Sequence, residues 1–335
     1  MTRQSALAVR AIPLFAALVL LVACDGSDSM KAEHGSGEIA FTVNRTGWNE
    51  IWLMAADGSD RRRLTEVEPP QSDAAGSASP AWSPDGTQIA FAAQIGTLAE
   101  DPRLSEIYVM DADGTDRRRL TTNDDVDTSP SWSPDGKRIA FTRIVDQGTA
   151  GARSGIFVLG EAGDDEVQLT QAAWPTFDFS PAWSPDGSMI AFTRIAPSTG
   201  SESPSAALYL VALEGRTLRK LTSDGGEPDW SPDGKRIAFT SFRDRFGRTC
   251  FHECGTSGEI YVVGADGREE QRLTESQAND GSPAWSQDGR LIAFASDRSN
   301  PNAHEIEIYV MNANGDDVRR ITENEVWDGE PAWRP

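Results

Sequence analysis

Pro80-Ala-Trp-Ser-Pro-Asp-Gly86, Ile89-Ala-Phe91, Glu106-Ile-Tyr-Val-Met110, Ala112-Asp-Gly114 and Arg117-Arg-Arg-Leu-Thr121 follow one another in a single stretch, residues 80–121. Ser-Pro-Asp-Gly is turn chemistry, because proline presets φ and glycine accepts the left-handed conformation after it. Asp-Gly between two apolar runs is a strong short hairpin signal. The stretch therefore reads as four strands. A proline-bearing strand lacks a ladder donor, which puts Pro-x-Trp at one edge. The Arg-rich strand before Leu-Thr carries protective charge, which puts it at the other edge. Ile-Ala-Phe and Ile-Tyr-Val-Met, apolar on successive residues, need cover on both faces and lie between them.

The unit recurs. Trp82, Trp132, Trp183, Trp230, Trp285 and Trp333 are spaced 50, 51, 47, 55 and 48 residues apart. Five of them sit in Pro-x-Trp-Ser-x-Asp-Gly, and the sixth lies in Pro331-Ala-Trp333, close to the last residue, Pro335. The Ile-Ala-Phe triplet ends at Phe41, Phe91, Phe141, Phe192, Phe239 and Phe294, and the Leu-Thr or Ile-Thr ending falls at Thr65, Thr121, Thr170, Thr222, Thr274 and Thr322. Small sheets buried on both faces and repeated about every 50 residues stack radially as propeller blades. The first unit lacks its Trp strand, and the last Trp strand lacks the rest. The expected fold is all-β: a six-bladed β-propeller of four-stranded antiparallel blades over residues 38–335, closed by a blade shared between both chain ends.

Ahead of the repeats, Arg3 and Arg10 precede an apolar run from Ala11 to Ala23, too short to span a bilayer comfortably. Leu21-Val22-Ala23-Cys24 resembles a bacterial lipobox. That resemblance implies a signal peptide over 1–23, lipidation of Cys24, and a flexible Asp/Ser/Gly-rich tether over 24–37. The expected location is outside the cytoplasm, on the periplasmic or extracellular side of a cell membrane, and the lipid anchor is the expected membrane contact.

The chain has 335 residues, 52 acidic against 31 basic side chains, a formal net charge of −21 and a mean hydropathy of −0.44. Without residues 1–23 the charge becomes −23. Such a balance argues against non-specific nucleic-acid binding, which needs cations to displace counterions from phosphates. Three Cys exclude a disulfide-built scaffold, and three His leave little for a multi-metal centre.

The repeats resemble the TolB-type, WD-repeat-like propeller family along residues 38–335. TolB proper carries an extra N-terminal α/β domain and works as an adaptor in an envelope complex, and the resemblance here is to the propeller without that domain. Similar propellers accompany prolyl-oligopeptidase-type enzymes and form oligogalacturonate lyases, which use histidine-bound metal. No Gly-x-Ser-x-Gly elbow and no His-Glu-x-x-His occurs, and His34, His252 and His304 are scattered. Asp111-Ala-Asp-Gly-Thr-Asp116 has the look of a calcium loop but lacks its closing glutamate, so it reads as a hairpin turn. No cofactor and no metal is expected.

Two features are left as candidates. Cys250 and Cys254 flank Phe-His-Glu in the loop between Phe239 and Tyr261, and three readings stay open: a disulfide, free thiols, or a Cys-His-Cys metal site. Asp127, Asp178, Asp280 and Asp328 each stand three residues before the Pro of the Trp strand, with Asp224 displaced by one. These carboxylates either bond local backbone N–H groups or ring one channel mouth and bind a cation or a basic segment of a partner. The functional expectation is a non-catalytic, lipid-anchored, monomeric scaffold that binds envelope proteins, with varied loops at 93–105, 143–154, 194–206, 241–258 and 296–306 on one face. The alternatives are an envelope enzyme of carbohydrate-lyase or lactone-hydrolase type and a ligand-binding sensor, each using the channel mouth.

Overall fold

The computed structural model describes residues 37–45, 48–66, 76–94, 104–147, 151–173, 175–196, 205–243, 258–299 and 305–335. Cys24, residues 25–36 of the tether, Cys250, Cys254 and all three histidines lie outside the described residues, as do the centres of the varied loops.

Each repeat folds into one antiparallel blade. The first blade runs Ser77–Trp82, Gln88–Gln94, Ser105–Asp111 and Arg118–Arg119, from the channel outward. The second starts at Val126–Trp132, the third at Phe177–Trp183, the fourth at Gly226–Trp230 and the fifth at Asp280–Trp285. The first and second blades share a parallel bridge between Ser105 and Val126. An added short strand, Ala172–Ala173, pairs with Arg153–Gly160 in the second blade. In the sixth blade, Trp327–Trp333 from the C-terminal end pairs with Glu38–Arg45, placing Ile39 opposite Trp333 and Val43 opposite Asp328. The shared closing blade expected from the repeats is thus observed.

The motifs have separable physical jobs. Ile-Ala-Phe is the fully buried second strand, and its Phe meets an aromatic side chain of the third, as Phe91 meets Tyr108 at 5.7 Å between ring centroids. Each Trp packs across to the preceding blade: Trp82 clusters with Ile51, Leu53 and Leu64 of the sixth. The Thr of every Leu-Thr is a plug. Its Oγ1 accepts the third-strand backbone N–H of Ile51, Ile107, Ile156, Leu208, Ile260 or Ile308, at 2.8 to 3.0 Å. Those amides would otherwise be buried donors without partners, each costing about 1–3 kcal/mol. The turn Asp is structural as well. Asp85 accepts from the Ser83 hydroxyl and the Thr87 amide, and these bonds hold its carboxyl below the usual range.

One feature was not expected. The residue before each inner-strand Pro has positive φ: Ser79 (54°), Ser129 (53°), Ser180 (51°), Glu227 (55°), Ser282 (51°) and Glu330 (50°). The register shifts there in every blade, which marks a bulge. No glycine occupies any of the six positions, so each blade carries a strained residue at the channel wall.

Candidate functional site

The central channel, about 670 Å³, is lined by the second halves of the six inner strands. One tier is proline: Pro80, Pro130, Pro181, Pro228, Pro283 and Pro331. The next is the tier of bulge residues, four serines and two glutamates. In the fourth blade Asp229 takes the place held by Ala81, Ser131, Ala182, Ala284 and Ala332. Neither Lys nor Arg lines the channel among the described residues.

The bulges define what the wall offers. Thr142 Oγ1 accepts the Ser180 N–H at 3.1 Å and Thr193 Oγ1 accepts the Glu227 N–H at 2.9 Å, and the Ser79 and Ser282 amides are caught in the same way by Thr42 and Thr240 of the preceding blade. The two glutamates reach forward instead. Glu227 Oε2 accepts from the Thr240 hydroxyl (2.7 Å) and the Ser282 amide (2.9 Å). Glu330 accepts from Thr42 Oγ1 (2.7 Å), the Ser79 amide (2.8 Å) and Ser79 Oγ (3.1 Å). Both carboxylates therefore tie neighbouring blades together while adding negative charge to one part of the wall. Asp229 accepts the Trp285 amide at 2.6 Å, and removal from water pushes its carboxyl up to about 7. A group so raised favours folding at low pH, and that contribution fades as pH climbs from about 4 toward 7. Asp229→Ser, which imitates Ser131, is expected to flatten this part of the pH–stability profile in thermal melts from pH 5 to 8.

The four sequence-flagged carboxylates are not on this wall. Asp127, Asp178 and Asp280 are fully buried, and Asp328 is 1% exposed. The expectation of a ring facing the channel mouth is corrected, and local backbone capping is not what chiefly holds them either. The reason lies on the adjacent strand. Arg143 stands opposite Asp127 and forks onto it at 2.7 and 2.8 Å, and Arg194 does the same to Asp178 at 2.6 and 2.7 Å. Arg298 reaches Asp280 at 2.6 Å, and Arg243 lies 3.6 Å from the displaced Asp224. Each guanidinium also lies over the blade's third-strand aromatic: Arg143 over Phe157, Arg194 over Tyr209, Arg298 over Tyr309 and Arg243 over Tyr261, at 4.7 to 5.0 Å. At Asp127, Asp178 and Asp280 the repeated Asp is one half of a buried Asp–Arg–aromatic latch, whereas Asp328 stands opposite Val43. The signal for the latch was in the sequence: an Arg two residues past Ile-Ala-Phe at Arg143 and Arg194, or four residues past it at Arg243 and Arg298.

Among the described residues, no group of three or more His, Cys, Asp or Glu is placed to hold a metal ion. No helix among them is long and apolar enough to cross a membrane.

The family described as the TolB beta propeller domain matches residues 71–150 and 249–335. The chain is a TolB-type β-propeller. A protein TolB homolog of Chlorobium chlorochromatii (strain CaD3) is 30% identical over 155 residues, which is 43% of this chain and 31% of that protein. The match thus spans about a third of that relative's length. TolB of Acinetobacter baumannii superposes with a TM-score of 0.67 at 22% identity, covering 89% of this chain and 67% of the other. Kuenenia stuttgartiensis hydrazine synthase gives 0.68 at 15% identity over 91% and 48% of the two chains. An oligogalacturonate lyase in complex with manganese gives 0.53 at 15% identity over 84% and 73%. At such identities these likenesses concern the fold.

Proposed function

We propose that this TolB-type propeller is an exported, lipid-anchored scaffold that works by binding an envelope protein at its channel, without catalysis. The observation that carries this reading is how the wall uses its polar groups. Glu227 and Glu330 are engaged in bonds between blades, and the proline tier presents a rigid, preshaped surface. Such a surface costs little entropy to bind against. Similarity to TolB proteins supports an interaction role. The lipobox supports the anchor, with Cys24 as the lipidated residue.

Two experiments address the two halves of the proposal. Crosslinking of the full-length protein in native envelopes is expected to yield a discrete partner. Ser180→Trp, which fills the channel from its wall, is expected to abolish that crosslink while the protein still folds. Recovery of the same partner at the same yield by the filled variant would sink the channel reading. Separately, Cys24→Ser is expected to release the propeller from the membrane fraction without changing its melting temperature. Undiminished sedimentation with membranes, in cells that process the signal, would overturn the anchor.

A further inference from the structure

Three seams between blades bury the same arrangement: a third-strand Glu of one blade, the inner-strand Asp of the next, and a loop residue bonded to both. Between the first and second blades these are Glu106, Asp127 and Asn123, and Arg119 and Arg143 neutralise the pair. Between the fourth and fifth they are Glu259, Asp280 and Ser276, with Arg272 and Arg298. Between the fifth and sixth they are Glu307, Asp328 and Asn324. At this last seam neither Glu307 nor Asp328 has an ion-pair partner among the described residues. Val43 stands opposite Asp328, where Arg143 and Arg194 stand opposite Asp127 and Asp178. Arg320 is paired with Glu323 instead. Asp328 Oδ2 takes the Asn324 amide at 2.6 Å, and Asp328 Oδ1 is buried with no hydrogen-bond partner.

We propose that the Glu307–Asp328 contact is a proton-operated latch: protonation of Asp328 tightens the blade that closes the ring. A carboxylic acid at Asp328 removes the like charge that Glu307 meets at the seam. The location matters, because the strand Trp327–Trp333 is the C-terminal closing strand and carries Glu330 on the channel wall. Loosening this strand would disturb the ring and the proposed binding surface together.

The surrounding charges do not supply the missing cation. The packed strands 77–82 and 291–296 carry no charged residue. On strand 38–45, Glu38 is bonded by Arg334, and Arg45 lies 4.7 Å over Trp52. On strand 280–285, Asp280 is held by Arg298. Arg61 acts on Asp328 more weakly than burial or Glu307 does, and it donates to the Ile321 carbonyl at 2.6 Å. Burial is the leading cause that raises the Asp328 carboxyl to about 6, and Glu307 adds to it. An unfolded Asp titrates near 3.9. The folded state therefore holds the proton more tightly. The folding equilibrium gains up to about a hundredfold as pH falls from above 6 toward 4, and it is flat in this term above about 7. Two carboxylates fall short of the six to eight oxygens calcium takes, which favours the proton over a metal.

The test is a set of thermal melts of the full chain at pH 5.0 and 7.5, with and without millimolar calcium or magnesium, for wild type and Asp328→Asn. Asp229 titrates in the same direction but cancels in the difference between the two proteins. Asp328→Asn is expected to melt higher than wild type at pH 7.5 and to converge with it at pH 5.0. Hydrogen exchange at residues 39–43, corrected for intrinsic rates, is expected to slow at pH 5.0 in wild type only. If Asp328→Asn fails to fold, Glu307→Gln is expected to shift the wild-type transition to lower pH. A variant that melts lower by the same amount at both pH values would overturn the latch. So would a divalent-metal stabilisation at pH 7.5 that disappears in Asp328→Asn, since the seam would then be a cation site.

Discussion

Deleting Pro331–Pro335 is expected to destabilise the propeller by roughly 5 kcal/mol, and in a typical domain of 5–15 kcal/mol that leaves little. Five residues have this effect because they close the ring. Trp333 is 9% exposed and opposite Ile39, and its burial alone contributes about 2–3 kcal/mol. The Ala332 carbonyl accepts the Trp82 indole N–H at 3.2 Å, a bond to the first blade. Arg334 donates its backbone N–H to Glu38, pairs with the Glu38 carboxylate, donates Nε to the Gly86 carbonyl at 2.9 Å, and lies 4.9 Å over the Trp82 ring. The segment therefore holds the sixth blade to itself and to the first. Urea unfolding of the truncated and full chains checks the prediction. A midpoint unchanged within error would mean that the two-ended blade is not what closes the ring.

The fold was legible because the same physical problem is solved six times. Any single Pro-x-Trp or Leu-Thr is ambiguous, but six in register, with an incomplete unit at each end, leave one architecture. What stayed hidden is what local spacing does not encode. The Thr of Leu-Thr looked like a strand ending, and its work is a bond to an amide 14 residues earlier in sequence, as with Thr65 and Ile51. The bulges at Ser79 and its counterparts ran against expectation, since a residue before proline is biased to extended conformations with negative φ. Tertiary register overrides that local bias, because the inner strand must bend around the channel.

The candidate site was less legible, and for a definite reason. Spacing located Asp127, Asp178, Asp280 and Asp328 on the inner strands, but a carboxylate's role depends on what stands across the ladder. Asp127 finds Arg143 and Asp328 finds Val43, so identical positions in the repeat have opposite electrostatics. Glu227, Asp229 and Glu330 break the small-residue pattern of their tiers, and comparing repeats column by column would have exposed them.

The second large effect is expected at Asp178. Asp178→Asn should cost about 3 kcal/mol, because it leaves Arg194, whose side chain is 20% exposed, without its carboxylate in a largely desolvated site. Arg194 Nε and Nη2 both donate to Asp178, so an amide can accept one bond but offers no charge and turns a donor toward the other. Asp127→Asn is expected to cost less, since Arg143 keeps Glu166 at 2.6 and 2.9 Å. The double change Asp178→Asn/Arg194→Met should recover most of the loss. Removing both members of a buried pair is far cheaper than removing one, and Met can lie against Tyr209 as the guanidinium did. Chemical denaturation of the two single variants and the double variant gives the coupling directly. If Asp178→Asn instead changes stability by less than about 1 kcal/mol, the carboxylate merely caps its own turn. The latch with Arg194 would then be a geometric coincidence, without energetic weight.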